Sequence, residues 1–220
     1  IWIGVRRNMS QLLRASKRPL RITTIGNTGA GKTTLLQRYN TTHSSPLPRA
    51  PAPTLGIDFS VKHVDGTLIE LWDTSGQERF YAFSQQYIRV ASACALVYDA
   101  GLSGVECLQQ VNNWYDRAMD CRNDFVHVPL VVIGNKKDLM RPNHGQASEV
   151  EQWCEAHSIP HFFTHATADD SDSQQLCCRP FEDLVCRAME FRRVSETLNR
   201  RGITLEAAKP DGLKLCPGCL

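Results

Sequence analysis

At 220 residues the chain is long enough for one domain with tails, and its 42% hydrophobic and 22% charged residues exclude global disorder. A net charge of +2 excludes nucleic acid as the main partner, although residues 1–57 carry nine Lys or Arg and no Asp or Glu. That basic front half suits a compact polyanion such as a nucleoside triphosphate. The nine cysteines follow no regular framework, which argues against a secreted disulfide fold and for a reducing compartment. No apolar run approaches the ~20 residues that a membrane-spanning helix needs.

Residues 1–19 form a basic arm with a composition like that of a targeting segment, and Met9 is an internal candidate start. The domain is expected over 20–199. Its first strand is Leu20–Ile25, followed by Gly26-Asn27-Thr28-Gly29-Ala30-Gly31-Lys32-Thr33 and the opening of a helix. Residues 41–53 hold four prolines and cannot be helical. Apolar runs at 57–64 and 68–72 flank Asp65-Gly66, a hairpin signal, so this pair is antiparallel. Further strands are expected at 93–98, 128–133 and 159–163, separated by helical segments. On those helices Val105, Leu108, Val111 and Tyr115 share one face, and Val150, Trp153 and Cys154 another. The polar stretch 169–175 reads as a loop. Phe181, Leu184, Val185 and Ala188 then mark a strongly amphipathic last helix. Cys94, Cys107, Cys154 and Cys186 read as small buried hydrophobes. Arg200-Arg201-Gly202 closes the domain, and 200–220 is a tail. The pattern predicts an α/β, three-layer P-loop NTPase fold: a six-stranded, mostly parallel sheet with one antiparallel edge strand and helices on both faces.

Three motifs fall at the carboxyl ends of predicted strands, where open α/β sheets bind ligands. In the first, Gly26, Gly29 and Gly31 let backbone N–H groups of the loop, including those of Thr28 and Ala30, turn inward around phosphate oxygens. Lys32 is placed for the β- and γ-phosphates, Thr33 for Mg²⁺, and Thr34 continues the first helical turn beside them. In the second, Asp73-Thr74-Ser75-Gly76-Gln77 supplies Asp73 for the Mg²⁺ shell, the Gly76 N–H for the γ-phosphate and Gln77 to orient an attacking water. In the third, Asn135-Lys136-Lys137-Asp138 offers a carboxylate that matches the N1–H and N2–H₂ edge of guanine and leaves adenine without donors for it. Asn135 ties this loop to its neighbours, and the Lys136 stem covers the base face.

These residues resemble the Ras superfamily of small GTPases, and most of all its Rab branch. Thr54-Leu55-Gly56-Ile57-Asp58-Phe59 and Trp72 through Phe80 are similar to the Rab forms of the switch sequences. The resemblance spans about 20–199. It implies that Thr54 reaches Mg²⁺ and the γ-phosphate in the GTP state, that Ala166 and Thr167 stand at the third guanine-contacting loop, and that Phe59, Trp72 and Tyr87 form an aromatic trio facing effectors. It also implies exchange factors and activating proteins as partners, a monomer, and a cytosolic endomembrane location through lipidated Cys216 and Cys219, a role in vesicle traffic included. Ser75 stands where the family usually has Ala. Thr164-His165-Ala166-Thr167-Ala168 departs from the usual Ser-Ala-Lys pattern, so a side-chain brace is expected to be missing there. The final Cys216-Pro-Gly-Cys219-Leu220 is not a standard prenylation box. The expected reaction is hydrolysis of GTP to GDP, slow without an arginine supplied in trans. Two alternatives remain on the same motifs: an ATP-using kinase or ATPase, and a non-hydrolysing GTP-binding interaction protein.

Overall fold

The computed structural model describes residues 18–41, 53–121, 128–140, 146–166 and 171–202. Most of the basic arm and of the Pro-rich loop, Thr167, and the tail with Cys216 and Cys219 lie outside them.

Strands β1 (Leu20–Ile25), β2 (Ile57–Val64), β3 (Thr67–Thr74), β4 (Ala93–Asp99), β5 (Leu130–Asn135) and β6 (His161–Phe163) form one sheet in the order β2-β3-β1-β4-β5-β6. Every neighbouring pair is parallel except β2 with β3. The β2–β3 turn has positive φ at both Asp65 (47°) and Gly66 (75°), the backbone of a two-residue hairpin that follows strand twist. Helices α1 (Lys32–Asn40), α2 (Tyr81–Val90), α3 (Gly104–Cys121), α4 (Gln146–Ala156) and α5 (Ser171–Arg200) complete the domain.

Side-chain alternation along β4 and β5 divides the core in two. Ala93, Ala95, Val97, Val131 and Ile133 point to the face covered by α1 and α5, where they meet Leu35, Tyr39, Phe181 and Leu184. Cys94, Leu96, Tyr98 and Val132 point to the other, under Ile88, Cys107, Val111, Trp114 and Val150. Strands buried on both faces explain the continuous apolar runs.

Three expectations need correction. Residues 171–175 are helical, being the first turn of α5. Their polarity is absorbed internally: buried Ser173 bonds to His165, and buried Gln174 donates to the Arg38 carbonyl. Cys186 is exposed, because it lies one residue beyond Val185 and off the Phe181–Leu184–Val185–Ala188 stripe. Val105 is 69% exposed, because it lies one residue beyond Gly104 and off the buried Gly104–Cys107–Val111–Trp114 stripe of α3.

His161 gives the fold a pH signature. It stacks on Tyr98, and its Nε2 lies 3.0 Å from the Tyr98 hydroxyl in a hydrogen bond. Burial pushes its pKa down to about 4 from 6.5. The unfolded chain therefore binds this proton more readily. Stability from His161 is complete above pH 6.5 and is lost as pH falls toward 4. Between pH 7 and 5 the loss should be about 1–2 kcal/mol. His161→Phe should flatten that slope in urea melts taken at both pH values; an unchanged slope would show that the ring is not the titrating group.

Candidate functional site

The carboxyl ends of β1, β3 and β5 open into one cavity of about 490 Å³, within the range of small-molecule sites. All three motifs line it. Thr28, Gly29, Gly31, Lys32, Thr33 and Thr34 come from the first loop, Thr54 from the segment before β2, Gly76 and Gln77 from the loop after β3, and Asn135, Lys136 and Asp138 from the loop after β5, with Ala166 beyond β6. Gly26, Ala30 and Asp73 stand behind this lining and support it.

The phosphate loop is held by contacts that only certain residues permit. Gly31 caps α1 at φ 93°, and a Cβ there would stand 2.1 Å from Asn135 Nδ2. That amide donates to the Ala30 carbonyl at 2.8 Å, while Asn135 Oδ1 accepts from Thr164 Oγ1 at 3.2 Å and from the Ala166 N–H at 3.3 Å. Asn135 thus joins the first, third and β6 loops, as its sequence position suggests. Gly76 packs directly on the first loop: a Cβ would stand 2.3 Å from Thr28 N. The second and first loops therefore meet backbone to backbone.

Lys32 is buried, and its Nζ donates to the carbonyls of Gly26 at 2.8 Å and Asn27 at 2.9 Å. Burial pulls its pKa down to about 8, partly opposed by the charge of Asp73. A buried ammonium bonded to two neutral carbonyls favours an incoming anion. Asp73 Oδ2 accepts from Thr33 Oγ1 at 2.5 Å and Thr54 Oγ1 at 3.0 Å, and these two hydroxyls lie 3.0 Å apart. Burial raises the Asp73 carboxyl above its usual range, and bonds from Thr33, Thr54 and Thr24 together with Lys32 oppose that. Two hydroxyls converging on a buried carboxylate bring together three hard oxygens, the kind of donor Mg²⁺ prefers.

Gln77 lies at the cavity edge. Its Oε1 accepts from Arg79 Nε at 2.7 Å, and its N–H donates to Ser75 Oγ at 3.3 Å. Asp138 is exposed at the rim, in the short turn Lys137–Leu139. Lys136 has φ 64°, and its Nζ pairs with Asp99 Oδ2 at 2.6 Å. Asp99 was not singled out from sequence, although its place at the carboxyl end of β4 is the available signal. The third loop is held from other elements, while Thr167 and Ala168, where the brace was expected to be missing, lie outside the described residues. Ala166 is secured on both sides, its N–H by Asn135 and its carbonyl by Arg38 Nε at 3.0 Å. Its N–H is therefore committed within the protein.

The three residues of the expected aromatic trio lie together at the β2–β3 pair. Phe59 is 65% exposed on β2, opposite Trp72 in register, and Trp72 and Tyr87 meet edge to face at 4.8 Å. Leu55, Val61 and Phe83 are exposed as well. Among the described residues, no helix is long and apolar enough to cross a membrane.

A Ras family model matches residues 21–178. The Ras-related protein Rab-7b of Paramecium octaurelia is 30% identical over 209 residues, covering 92% of this chain and 97% of its own length. Ras-related protein Rab7 of Pisum sativum is 36% identical over 156 residues, 67% of this chain and 73% of the relative. Ras-related protein Rab-30 of Homo sapiens is 30% identical over 183 residues, 81% and 84% respectively.

Proposed function

The chain belongs to the Ras family and is a Rab-like small GTPase, and on that premise we propose that it is a switch in membrane traffic, cycling between GTP and GDP. The observation that carries this reading is the single cavity in which the phosphate loop, the Thr33–Thr54–Asp73 oxygens and the Asp138 rim meet.

Thr33, Thr54 and Asp73 would hold Mg²⁺, which when bound offsets phosphate charge. Lys32 and the inward N–H groups of the first loop bind the β- and γ-phosphates, and Asp138 accepts from guanine. Water attacks the γ-phosphate in line with the departing GDP oxygen, and Gln77 orients that water. Loss of the γ-phosphate removes what Thr54 and the Gly76 N–H hold in common, so both segments relax. The apolar strip of Phe59, Trp72, Tyr87, Leu55 and Phe83 is continuous with those segments, which makes it the natural effector face. Exchange factors and activating proteins would act on the same loops. Lipidated Cys216 and Cys219 would hold a monomer on the cytosolic face of an endomembrane.

Competition between GTP and ATP for the protein, with and without Mg²⁺, tests the reading. Saturable, magnesium-dependent binding that ATP does not displace is expected, and displacement by equimolar ATP would overturn it.

A non-hydrolysing interaction protein is the second reading, favoured by one contact: Arg79 Nε donates to the side-chain Oε1 of Gln77. Phosphate release with and without a membrane extract decides between them. If Gln77 orients water, Gln77→Leu should keep GTP affinity and slow single-turnover hydrolysis by about tenfold or more. An unchanged rate would remove Gln77 from the reaction.

A further inference from the structure

Trp114 lies in the body of α3, 87 residues from the phosphate loop, yet its Nε1–H donates to Asn27 Oδ1 at 2.6 Å. The indole is fully buried on the face of the sheet opposite α1. Packing alone would be served by any large apolar residue at this point. The N–H is a polar group in an apolar cluster, and among the described residues it bonds to a residue of the nucleotide site.

Asn27 is where the loop's own contacts concentrate. Its carbonyl accepts from Lys32 Nζ at 2.9 Å and from the Ala30 N–H at 3.2 Å. A Cβ on Gly76 would stand 2.4 Å from its carbonyl carbon, so the second motif rests on the Asn27 peptide. Rotation of that peptide would move the support of Lys32 and the bed of Gly76 together. The side chain is the handle that prevents it, and Trp114 holds the handle.

The indole is fixed from its far side as well. Tyr81, the first residue of α2, meets it edge to face at 5.9 Å. The Arg117 guanidinium lies over both rings, 5.3 Å from Trp114 and 5.0 Å from Tyr81. The Tyr81 hydroxyl donates to the Arg117 carbonyl at 2.7 Å.

We propose that Trp114 is a positioning residue for nucleotide retention: its indole N–H locks the Asn27 peptide and so keeps the phosphate loop closed on bound nucleotide. This rests on the nucleotide-binding reading above. A lock of this kind acts on release more than on encounter, because association is governed by diffusion into the cavity.

The test follows release of a fluorescent GDP analogue from the Mg²⁺-loaded protein. Trp114→Phe keeps a ring in the cluster and removes the donor; Asn27→Leu removes the acceptor without touching the core. Each should speed release about tenfold, the scale of one buried hydrogen bond lost, and association should change little. The double variant should release no faster than the faster single variant, since both remove the same bond. Val111→Ala, in the same helix and cluster, is the packing control. It should lower the melting temperature without speeding release.

Release at the parental rate in both single variants would overturn the proposal. So would multiplicative acceleration in the double variant, or equal acceleration in Val111→Ala. Failure of the parent protein to take up the analogue would instead overturn the nucleotide reading itself.

Discussion

Lys32→Met is expected to weaken GTP and GDP binding by about 10²- to 10³-fold while leaving the fold intact. The size follows from what Lys32 does in the free protein. Its ammonium has three donors, and two go to the Gly26 and Asn27 carbonyls, leaving a direction for an anion. Burial has already removed most of its water, so most of the desolvation precedes the arrival of the phosphates. Removing one partner of such a buried charge pair costs about 3–5 kcal/mol. The free protein should hardly notice, because a desolvated ammonium opposes folding, as its pKa of about 8 shows. Methionine fills a similar volume without that cost. The nucleotide-free variant should therefore melt within about 3 °C of the parent, or above it. Saturating GDP and Mg²⁺, which raise the melting temperature of a protein that binds them, should lose that effect. A variant that keeps the ligand-induced shift would show that Lys32 does not meet the phosphates.

Much of the site was legible because its residues are neighbours in sequence. Gly26 through Thr33 is one turn between a strand and a helix, and Asn135 through Asp138 is another. Local spacing therefore carried most of their geometry. The sheet was legible for a similar reason: alternation along β4 and β5 sends successive residues to opposite cores. What escaped was the scaffold behind the loops. Arg38 reaches Ala166 across 128 residues, and Trp114 reaches Asn27 across 87. No periodicity encodes such pairs, since they exist only once α1, α3 and the β6 loop are docked on the sheet. The first turn of α5 was misjudged on related grounds. Ser173 and Gln174 look solvent-facing in sequence, yet their polar atoms are consumed by His165 and by Arg38. The third guanine-contacting loop belongs with these: Arg38 reaches the Ala166 carbonyl from another helix.

Asp138→Asn should lower the preference for GTP over ATP and shift it toward xanthosine triphosphate. A carboxylate presents two acceptors to the N1–H and N2–H₂ donors of guanine. Asparagine presents one acceptor and one amide, so a donor faces a donor at N2. Xanthine carries a carbonyl at that position, which the amide can satisfy. A fully enclosed site discriminates such mismatches by ~10⁴-fold or more. Asp138 lies at the exposed rim, where water can relieve the unpaired donors, so about 10²-fold is the appropriate expectation here. The loop itself should hold, because Asn135 is bonded to Ala30, Thr164 and Ala166 and not through Asp138. Lys136 likewise stays on Asp99. Loss of base preference with retained magnesium-dependent triphosphate binding is therefore the signature to look for in a three-way competition among GTP, ATP and xanthosine triphosphate. An unchanged ranking would mean that guanine is read elsewhere in the cavity, with residues beyond Ala166 the next to mutate.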